Sequence, residues 1–280
     1  MSKLRVLLTG ATGYVAGQLL PEFRDRYDLR LIDIREEDSA GQPVEGVEVV
    51  DLLNDENSVL EPFFAEADIV VHTAYKFGAQ DLPASETDPQ SMYDLERLNV
   101  DMTQRVYQLA YDNDVKRVVV ASTNQAAKWY EQPYYAGLRD RVSPEDYPRP
   151  DNFYGWAKAA YESLGFLYAC GSLGKKLEVI QIRIVVPREI APGDFEGRPE
   201  RLVRDLAGYV SERDLQQLFR KSIETSDVND EHGVPFHIFY GVSNNARTFW
   251  SITNALRVIG YQPQDDSEVR FAEGIAKLLK

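Results

Sequence analysis

The sequence predicts an α/β fold built on a doubly wound parallel sheet, with a small carboxyl-terminal substrate lobe. Short apolar runs alternate along the chain with longer stretches of helical period. Several of these runs are apolar throughout, as expected for strands that are covered on both faces. A glycine-rich turn follows the first run, in the position where such sheets bind a nucleotide.

Seven runs rich in aliphatic and aromatic residues are predicted as strands. They are 4–9, 28–33, 47–51, 67–73, 116–123, 177–184 and 234–242. The helices between them include 16–27, 95–114 and 154–171. Beyond residue 186 the pattern loosens, and Pro and Gly cluster over 187–199. We therefore divide the chain into a nucleotide-binding domain at 1–186 and a substrate-binding lobe at 187–280, with 234–242 returning a strand to the main sheet.

Composition excludes several classes of partner. The 280 residues carry a formal net charge of −14, which disfavours binding to nucleic acid or to an anionic membrane surface. No apolar run approaches the length of a membrane span, and the apolar start at 4–9 is too short for a signal-peptide core. The single cysteine, Cys170, excludes an internal disulfide and fits a reducing compartment. We expect a cytoplasmic protein.

The first strand runs directly into "TGATGYVAG", in which Gly10 and Gly13 are spaced as in a Rossmann dinucleotide site. The first glycine permits a tight turn, and the second lets the backbone approach a pyrophosphate. A small third residue, Ala16 or Gly17, lets the helix pack on the strand. The new helix directs its free N–H groups and positive dipole end at the phosphates.

An acidic residue about 20 positions later supports this interpretation. Asp33 ends the second strand, where its carboxylate can accept hydrogen bonds from the ribose hydroxyls and repel a 2′-phosphate. This favours NAD as the cofactor. Arg35 leaves NADP open, because an arginine nearby can accommodate the 2′-phosphate.

A tyrosine and a lysine four residues apart, Tyr154 and Lys158, begin a predicted helix. Residues at this spacing share a helix face. A free tyrosine is a poor base at neutral pH, but a nearby ammonium favours its phenolate. Ser122 and Thr123 end the fifth strand and offer a hydroxyl that could orient a substrate oxygen. Together these residues suggest a site that removes a proton from a substrate hydroxyl while NAD accepts a hydride.

These motifs, with "DIVVHTA", "YGWAK", "IRIVVP" and "VIGYQP", resemble the extended short-chain dehydrogenase/reductases over nearly the whole chain. Within that family the stretches "ASTN", "RPDNFYGWAK" and "YGVSNN" are most similar to the NAD-dependent uronate dehydrogenases, which oxidise C1 of a hexuronic acid to a lactone. The resemblance implies Tyr154 as general base, Lys158 as the residue that holds the ribose and lowers the tyrosine pKa, and Thr123 as the catalytic hydroxyl.

The resemblance also implies cofactor and substrate contacts. For NAD they are Gly10, Thr12, Gly13, Tyr14, Val15, Asp33, Asp51, Leu52, Thr73, Ala74, Tyr75 and Asn99, together with Tyr154 and Lys158. For the substrate they are Thr123, Asn124, Gln125, Phe77, Val186 and Arg204. Arg204 falls on an arginine that pairs with the substrate carboxylate in the uronate enzymes, with Arg201 and Arg198 as alternatives.

Some of these positions depart from the uronate pattern. Gln125 replaces a histidine, Phe77 and Val186 replace small hydroxyl residues, and 128–147 is extra sequence. The redox residues are therefore retained while the sugar pocket is altered. A hexuronate, another sugar acid, a neutral aldose and a sugar phosphate all remain candidate substrates.

Two other functions remain open. One is a nucleotide-sugar epimerase or dehydratase with tightly bound NAD, although only about 90 residues follow Pro187. The other is a dinucleotide-sensing protein without catalysis. His232 and His237 have no second His or Cys at ligand spacing, so no metal site is predicted. The resemblance further implies a homodimer formed through the helices near 95–112 and 154–170.

Overall fold

The computed structural model describes residues 3–77 and 88–278, and its centre is a sheet of seven parallel strands. The strands are Arg5–Thr9 (β1), Asp28–Asp33 (β2), Val47–Val49 (β3), Ile69–His72 (β4), Arg117–Thr123 (β5), Glu178–Ile184 (β6) and Phe236–Gly241 (β7). Their order across the sheet is β3-β2-β1-β4-β5-β6-β7. This confirms the predicted fold class, and each predicted run contains one strand.

Ten helices accompany the sheet in the described residues. They are Tyr14–Arg26 (α1), Asn57–Ala65 (α2), Pro89–Asp112 (α3), Glu131–Tyr135 (α4), Phe153–Ala169 (α5), Pro199–Gly208 (α6), Glu212–Glu224 (α7), Thr253–Ile259 (α8), Ser267–Arg270 (α9) and Ala272–Leu278 (α10). Short 3₁₀ helices occupy Asn124–Tyr130 and Pro192–Phe195. Within residues 3–77 and 88–278, no helix has the length and apolar character needed to cross a bilayer.

Helix α3 begins six residues before its predicted start at 95. Asp88 caps it, accepting a hydrogen bond of 2.9 Å from the backbone N–H of Ser91, and Pro89 occupies its first position. An acidic cap followed by proline is a strong helix start, because proline lacks the N–H that would be unpaired there. The apolar periodicity that predicted this helix begins only after the first turn.

Alternate residues of each central strand enter different cores. Val6 and Leu8 of β1 pack with residues of α1 and α7, including Phe23 and Phe219. Leu7 packs on the opposite face with residues of α2, α3 and α5. The sheet is therefore covered on both faces, which explains why its strands are apolar throughout.

The carboxyl-terminal third of the chain contributes to the main sheet layers and to a smaller apolar cluster. β7 pairs with β6 and α7 packs on α1, so both extend the main sheet layers. A smaller apolar cluster joins residues of 186–209 with two residues near the end of the chain, Phe271 and Ile275. This cluster follows directly on β6 and lies beside the ends of the central strands.

Candidate active site

The turn between β1 and α1 depends on glycine at its first position. Gly10 has a φ of +73°, and a Cβ atom there would lie 2.4 Å from the backbone nitrogen of Ala74. Gly13 precedes α1, and no side chain in the described residues caps the helix. The first turn also contains no acidic residue. The N-terminus of α1 is therefore suited to an anion such as a pyrophosphate.

Of the two small residues at the third position, only one packs closely. Ala16 is fully buried in the core between α1 and the sheet. A Cβ atom on Gly17 would meet no atom of the described chain within 4 Å. The close packing of helix on strand is therefore provided by Ala16, and Gly17 is not required for it.

Asp33 lies at the end of β2, beside this turn. Its Oδ2 accepts hydrogen bonds from the backbone N–H of Thr12, at 2.9 Å, and from the Thr12 hydroxyl, at 2.8 Å. Its Oδ1 accepts from the N–H of Ile34. Arg35 Nε lies 3.4 Å from the same Thr12 hydroxyl. The carboxylate is thus held in place next to the glycine turn, with a cation nearby.

A cavity of about 900 Å³ runs along the carboxyl ends of the strands from Asp33 to Tyr154. Most of the residues predicted for the cofactor and substrate line it, and they are Gly10, Thr12, Gly13, Tyr14, Val15, Asp33, Asp51, Leu52, Thr73, Ala74, Tyr75, Phe77, Thr123, Gln125, Tyr154 and Lys158. Its length and lining suit a dinucleotide together with a small substrate.

Helix α5 is held close to the end of β5 by its first turn. Asn152 caps α5, accepting a hydrogen bond of 2.8 Å from Gly155 N–H, and its side-chain amide donates to Gln125 Oε1 at 2.8 Å. A Cβ atom on Gly155 would lie 2.4 Å from the backbone oxygen of Gln125. Glycine at this position therefore lets Tyr154 come within reach of Thr123.

Tyr154 and Thr123 line the same end of the cavity, near enough for the Thr123 side chain to lower the pKa of the tyrosine. Burial raises the pKa of Tyr154 to about 12, although the Thr123 hydroxyl acts in the opposite direction. The Tyr154 ring packs edge-on against Tyr75, with ring centroids 5.3 Å apart. Without a further positive charge, Tyr154 is therefore protonated at neutral pH.

Lys158 is buried one turn along α5. Its Nζ donates a hydrogen bond of 2.8 Å to the backbone oxygen of Ala121 and lies 5.9 Å from the centroid of the Tyr154 ring. Burial lowers the pKa of Lys158 to about 7, while the charge of Glu96 raises it. Desolvation is the largest influence on the pKa of both groups, and the expectation that Lys158 lowers the tyrosine pKa stays a prediction.

Sequence reasoning missed Glu96, which lines the cavity beside these residues. It is 3% exposed, accepts a short hydrogen bond from the Tyr75 hydroxyl, and has its pKa raised by burial. A carboxylate facing the lysine and two tyrosines helps to set their protonation. The only signal in the sequence was that Glu96 lies three positions before Asn99, on the same face of the helix.

A second buried network fixes α5 to the strands. Arg183 of β6 pairs with Glu162 of α5 through two hydrogen bonds of 2.7 Å, and both side chains are almost fully buried. Ser122 Oγ donates to Glu162 at 3.0 Å, and Arg183 donates to the Tyr240 hydroxyl at 3.0 Å. Ser122 thus has a structural partner, whereas its neighbour Thr123 faces Tyr154.

Four predicted site residues do not line the cavity. Asn99 is fully buried and its side chain binds the backbone of Lys76 at 2.7 and 3.1 Å. Val186 lies in the smaller apolar cluster. Asn124 and Arg204 are joined to each other through Glu131, described below. Their assignment to cofactor or substrate stays a prediction.

His72 ends β4 next to the cavity but is enclosed by protein. It is hydrogen-bonded to the hydroxyls of Thr9, at 2.7 Å, and Thr103, at 3.2 Å. Burial lowers its pKa to about 3, with a smaller effect from Lys158. It is therefore neutral at physiological pH and links β1, β4 and α3. Within the described residues, no three His, Cys, Asp or Glu side chains are grouped to hold a metal ion.

Comparison with known proteins identifies the family of this chain. The family model described as "NAD dependent epimerase/dehydratase family" matches residues 6–212. The chain belongs to this family. That confirms the resemblance to the extended short-chain dehydrogenase/reductases.

Among its relatives is the NAD-dependent glucose-6-phosphate dehydrogenase of Haloferax volcanii, 32% identical over 96% of both chains. The L-arabinose 1-dehydrogenase (NAD(P)(+)) of the same organism is 31% identical over 94% of this chain and 97% of its own. The solved uronate dehydrogenase from Agrobacterium tumefaciens superimposes with a TM-score of 0.71 at 22% identity, covering 99% of this chain and 90% of that one. The first two are sugar dehydrogenases with NAD(P) as cofactor, and the third shows the shared fold.

Proposed function

We propose that this protein is an NAD-dependent dehydrogenase that oxidises the C1 hemiacetal of a sugar to a lactone. The observation that supports this most directly is that Tyr154, Thr123 and Lys158 line one cavity together with the glycine turn. The sugar dehydrogenases among its relatives, which match almost the entire chain, support the same assignment.

The residues present fit the dinucleotide. The uncapped start of α1 would hold the pyrophosphate, and Asp33 would accept hydrogen bonds from the adenine ribose. When bound, NAD⁺ would supply the hydride acceptor and the positive charge of its nicotinamide ring. The Asp33 charge beside the turn favours NAD over NADP, since a 2′-phosphate would meet this carboxylate.

Side chains of the protein would orient the substrate hydroxyl and accept its proton. Thr123 orients the substrate hydroxyl, and the Tyr154 phenolate takes its proton as the hydride leaves the same carbon. Lys158 in its charged form stabilises the phenolate, which burial otherwise disfavours. The C1–H and O–H bonds are broken, one C=O bond is formed, and the proton reaches Tyr154.

The test is NADH formation, followed by absorbance, with a panel of aldoses, uronates and aldose phosphates and with NAD and NADP in parallel. We expect turnover of at least one sugar, faster with NAD than with NADP, and a lactone as product. Turnover of none of them with either cofactor would contradict the proposal. Tightly bound NAD in the purified protein without net NADH formation would indicate an epimerase or dehydratase instead.

A further inference from the structure

The guanidinium of Arg204 is already paired within the protein. Its Nε and one terminal nitrogen donate to the two carboxylate oxygens of Glu131, at 3.1 and 3.0 Å. The other terminal nitrogen donates to Asp205 at 3.2 Å. The Arg204 and Glu131 side chains are only 22% and 13% exposed. Two parallel hydrogen bonds between a guanidinium and a carboxylate form the strongest type of ion-pair contact.

The same Glu131 carboxylate also accepts a hydrogen bond from the residue that follows Thr123. Asn124 directly follows Thr123, and its side-chain amide donates to Glu131 Oε1 at 3.0 Å. Glu131 therefore lies between an amide and a guanidinium, close to the end of β5. An amide and a guanidinium together would also bind the carboxylate of a sugar acid. In this chain the protein supplies that carboxylate itself, from the segment 128–147.

The charges around Arg204 are balanced. Arg188 donates to the second oxygen of Asp205 at 2.6 Å, so two arginines face two carboxylates. The resemblance implies that the charged end of a substrate lies at Arg204, where an anion would have to displace Glu131 or lie beside it. Displacement would leave a poorly solvated carboxylate without its partner, and a position beside it would place like charges together.

We propose that Glu131 determines substrate specificity by occupying Arg204, so that the site accepts an uncharged aldose and rejects sugars with a carboxylate or phosphate at that end. This inference rests on the sugar oxidation proposed above. It narrows the four candidate substrate classes to one. It also assigns a role to the extra segment that carries Glu131.

Two matched series of sugars test this inference. One consists of D-glucose, D-glucuronate and D-glucose 6-phosphate, and the other of D-galactose and D-galacturonate. Members of a series differ only at C6. We expect kcat/KM of the wild type to be at least about tenfold higher for a neutral aldose than for its acid or phosphate. A wild type that prefers glucuronate, galacturonate or glucose 6-phosphate would overturn the inference while leaving the proposed dehydrogenase intact.

The Glu131→Gln variant tests the mechanism of selection. It removes the charge but keeps the side-chain shape, so the two Arg204 nitrogens that face Glu131 lose their anionic partner and can bind a substrate anion. We expect kcat/KM for the uronates to rise about tenfold, and the gain to disappear in the Glu131→Gln/Arg204→Gln double variant. Glu145→Gln removes the same charge from an exposed position of the same segment and should leave the selectivity of the wild type unchanged.

Calorimetric titration of D-glucuronate into each protein loaded with NADH gives a readout that does not require turnover. Binding should be tighter for Glu131→Gln than for the wild type, and equal binding to both would refute the role of Glu131. If Glu131→Gln does not fold, as judged by circular dichroism, Glu131→Asp replaces it. The shorter carboxylate withdraws from Arg204, so a smaller gain in glucuronate binding is expected and no gain would refute the inference. Absence of turnover with every sugar would instead contradict the proposed function.

Discussion

The two halves of the cavity are constructed differently. The cofactor half, from β1 to β4, is lined by a tight turn at Gly10 and by the carboxylates of Asp33 and Asp51. Around the substrate half, beyond β5, side chains are paired across long sequence separations. Arg204 and Glu131, for example, are 73 residues apart. The comparison indicates that the first half depends mainly on the backbone conformation of one turn, and the second on pairs of distant side chains.

This difference fits the chemistry of the two ligands. A pyrophosphate has the same shape in every dinucleotide, so a turn that exposes N–H groups suffices to bind it. Sugars differ in the position of single hydroxyl or acid groups, and these are distinguished by individual side chains. A change in specificity therefore requires new residues such as Glu131 but leaves the turn at Gly10 unaltered.

Replacing Tyr154 with Phe should distinguish the two halves of the cavity most clearly, because turnover should fall while NAD binding is retained. The variant lacks the proton acceptor, so kcat should fall by about 10²- to 10⁴-fold. NAD affinity, measured by fluorescence titration, should stay within a few fold, because the glycine turn and Asp33 are unchanged in the variant. Turnover equal to that of the wild type would remove Tyr154 from the mechanism, and a parallel loss of NAD affinity would show that the halves are coupled.

Arg183→Met tests how strongly the substrate half depends on distant pairs. It leaves the Glu162 charge buried without its partner, which should lower the free energy of unfolding by about 3–5 kcal/mol. Adding Glu162→Met should recover much of this loss, since the unpaired charge is then removed. Arg97→Met breaks an exposed pair with Asp101 and should change stability by less than about 1 kcal/mol in the same urea titrations. Equal effects of Arg183→Met and Arg97→Met would contradict the structural role of the buried pair.

Gly10→Ala probes the cofactor half. Its φ of +73° is unfavourable for alanine, and the new Cβ would contact the Ala74 backbone. We expect a loss of stability of about 2 kcal/mol and about tenfold weaker NAD binding. Gly17→Ala, in the same motif but with open space around it, should be neutral or stabilise α1 by up to about 1 kcal/mol. Similar losses in both variants would argue against a specific requirement at Gly10.

The difference between the two halves of the cavity also explains which features the sequence could predict. The strands and the glycine turn follow from patterns within a few residues, and Asp33 follows from its spacing of about 20 residues from that turn. The structure places them together. Glu96 and Glu131 were missed, because their partners are known only once the chain is folded. A weaker signal existed for the buried pair, since Gln181 and Arg183 interrupt one face of an otherwise apolar strand. A charged residue in such a strand requires a partner, but the sequence did not identify it as Glu162.

The last prediction concerns the pH dependence of turnover, which depends on Tyr154 and Lys158, where the two halves of the cavity meet. Burial places the pKa of Lys158 at about 7 and that of Tyr154 at about 12. The active form, with tyrosinate and charged lysine, has lost one proton in total, as has the form with neutral lysine and protonated tyrosine. Their ratio is independent of pH, so kcat should rise about tenfold per pH unit below about pH 7 and level off above it. In Lys158→Met the tyrosine titrates alone, and kcat should be lower and keep rising to at least about pH 9. A plateau at the same pH in both proteins would show that the two groups do not titrate as a pair.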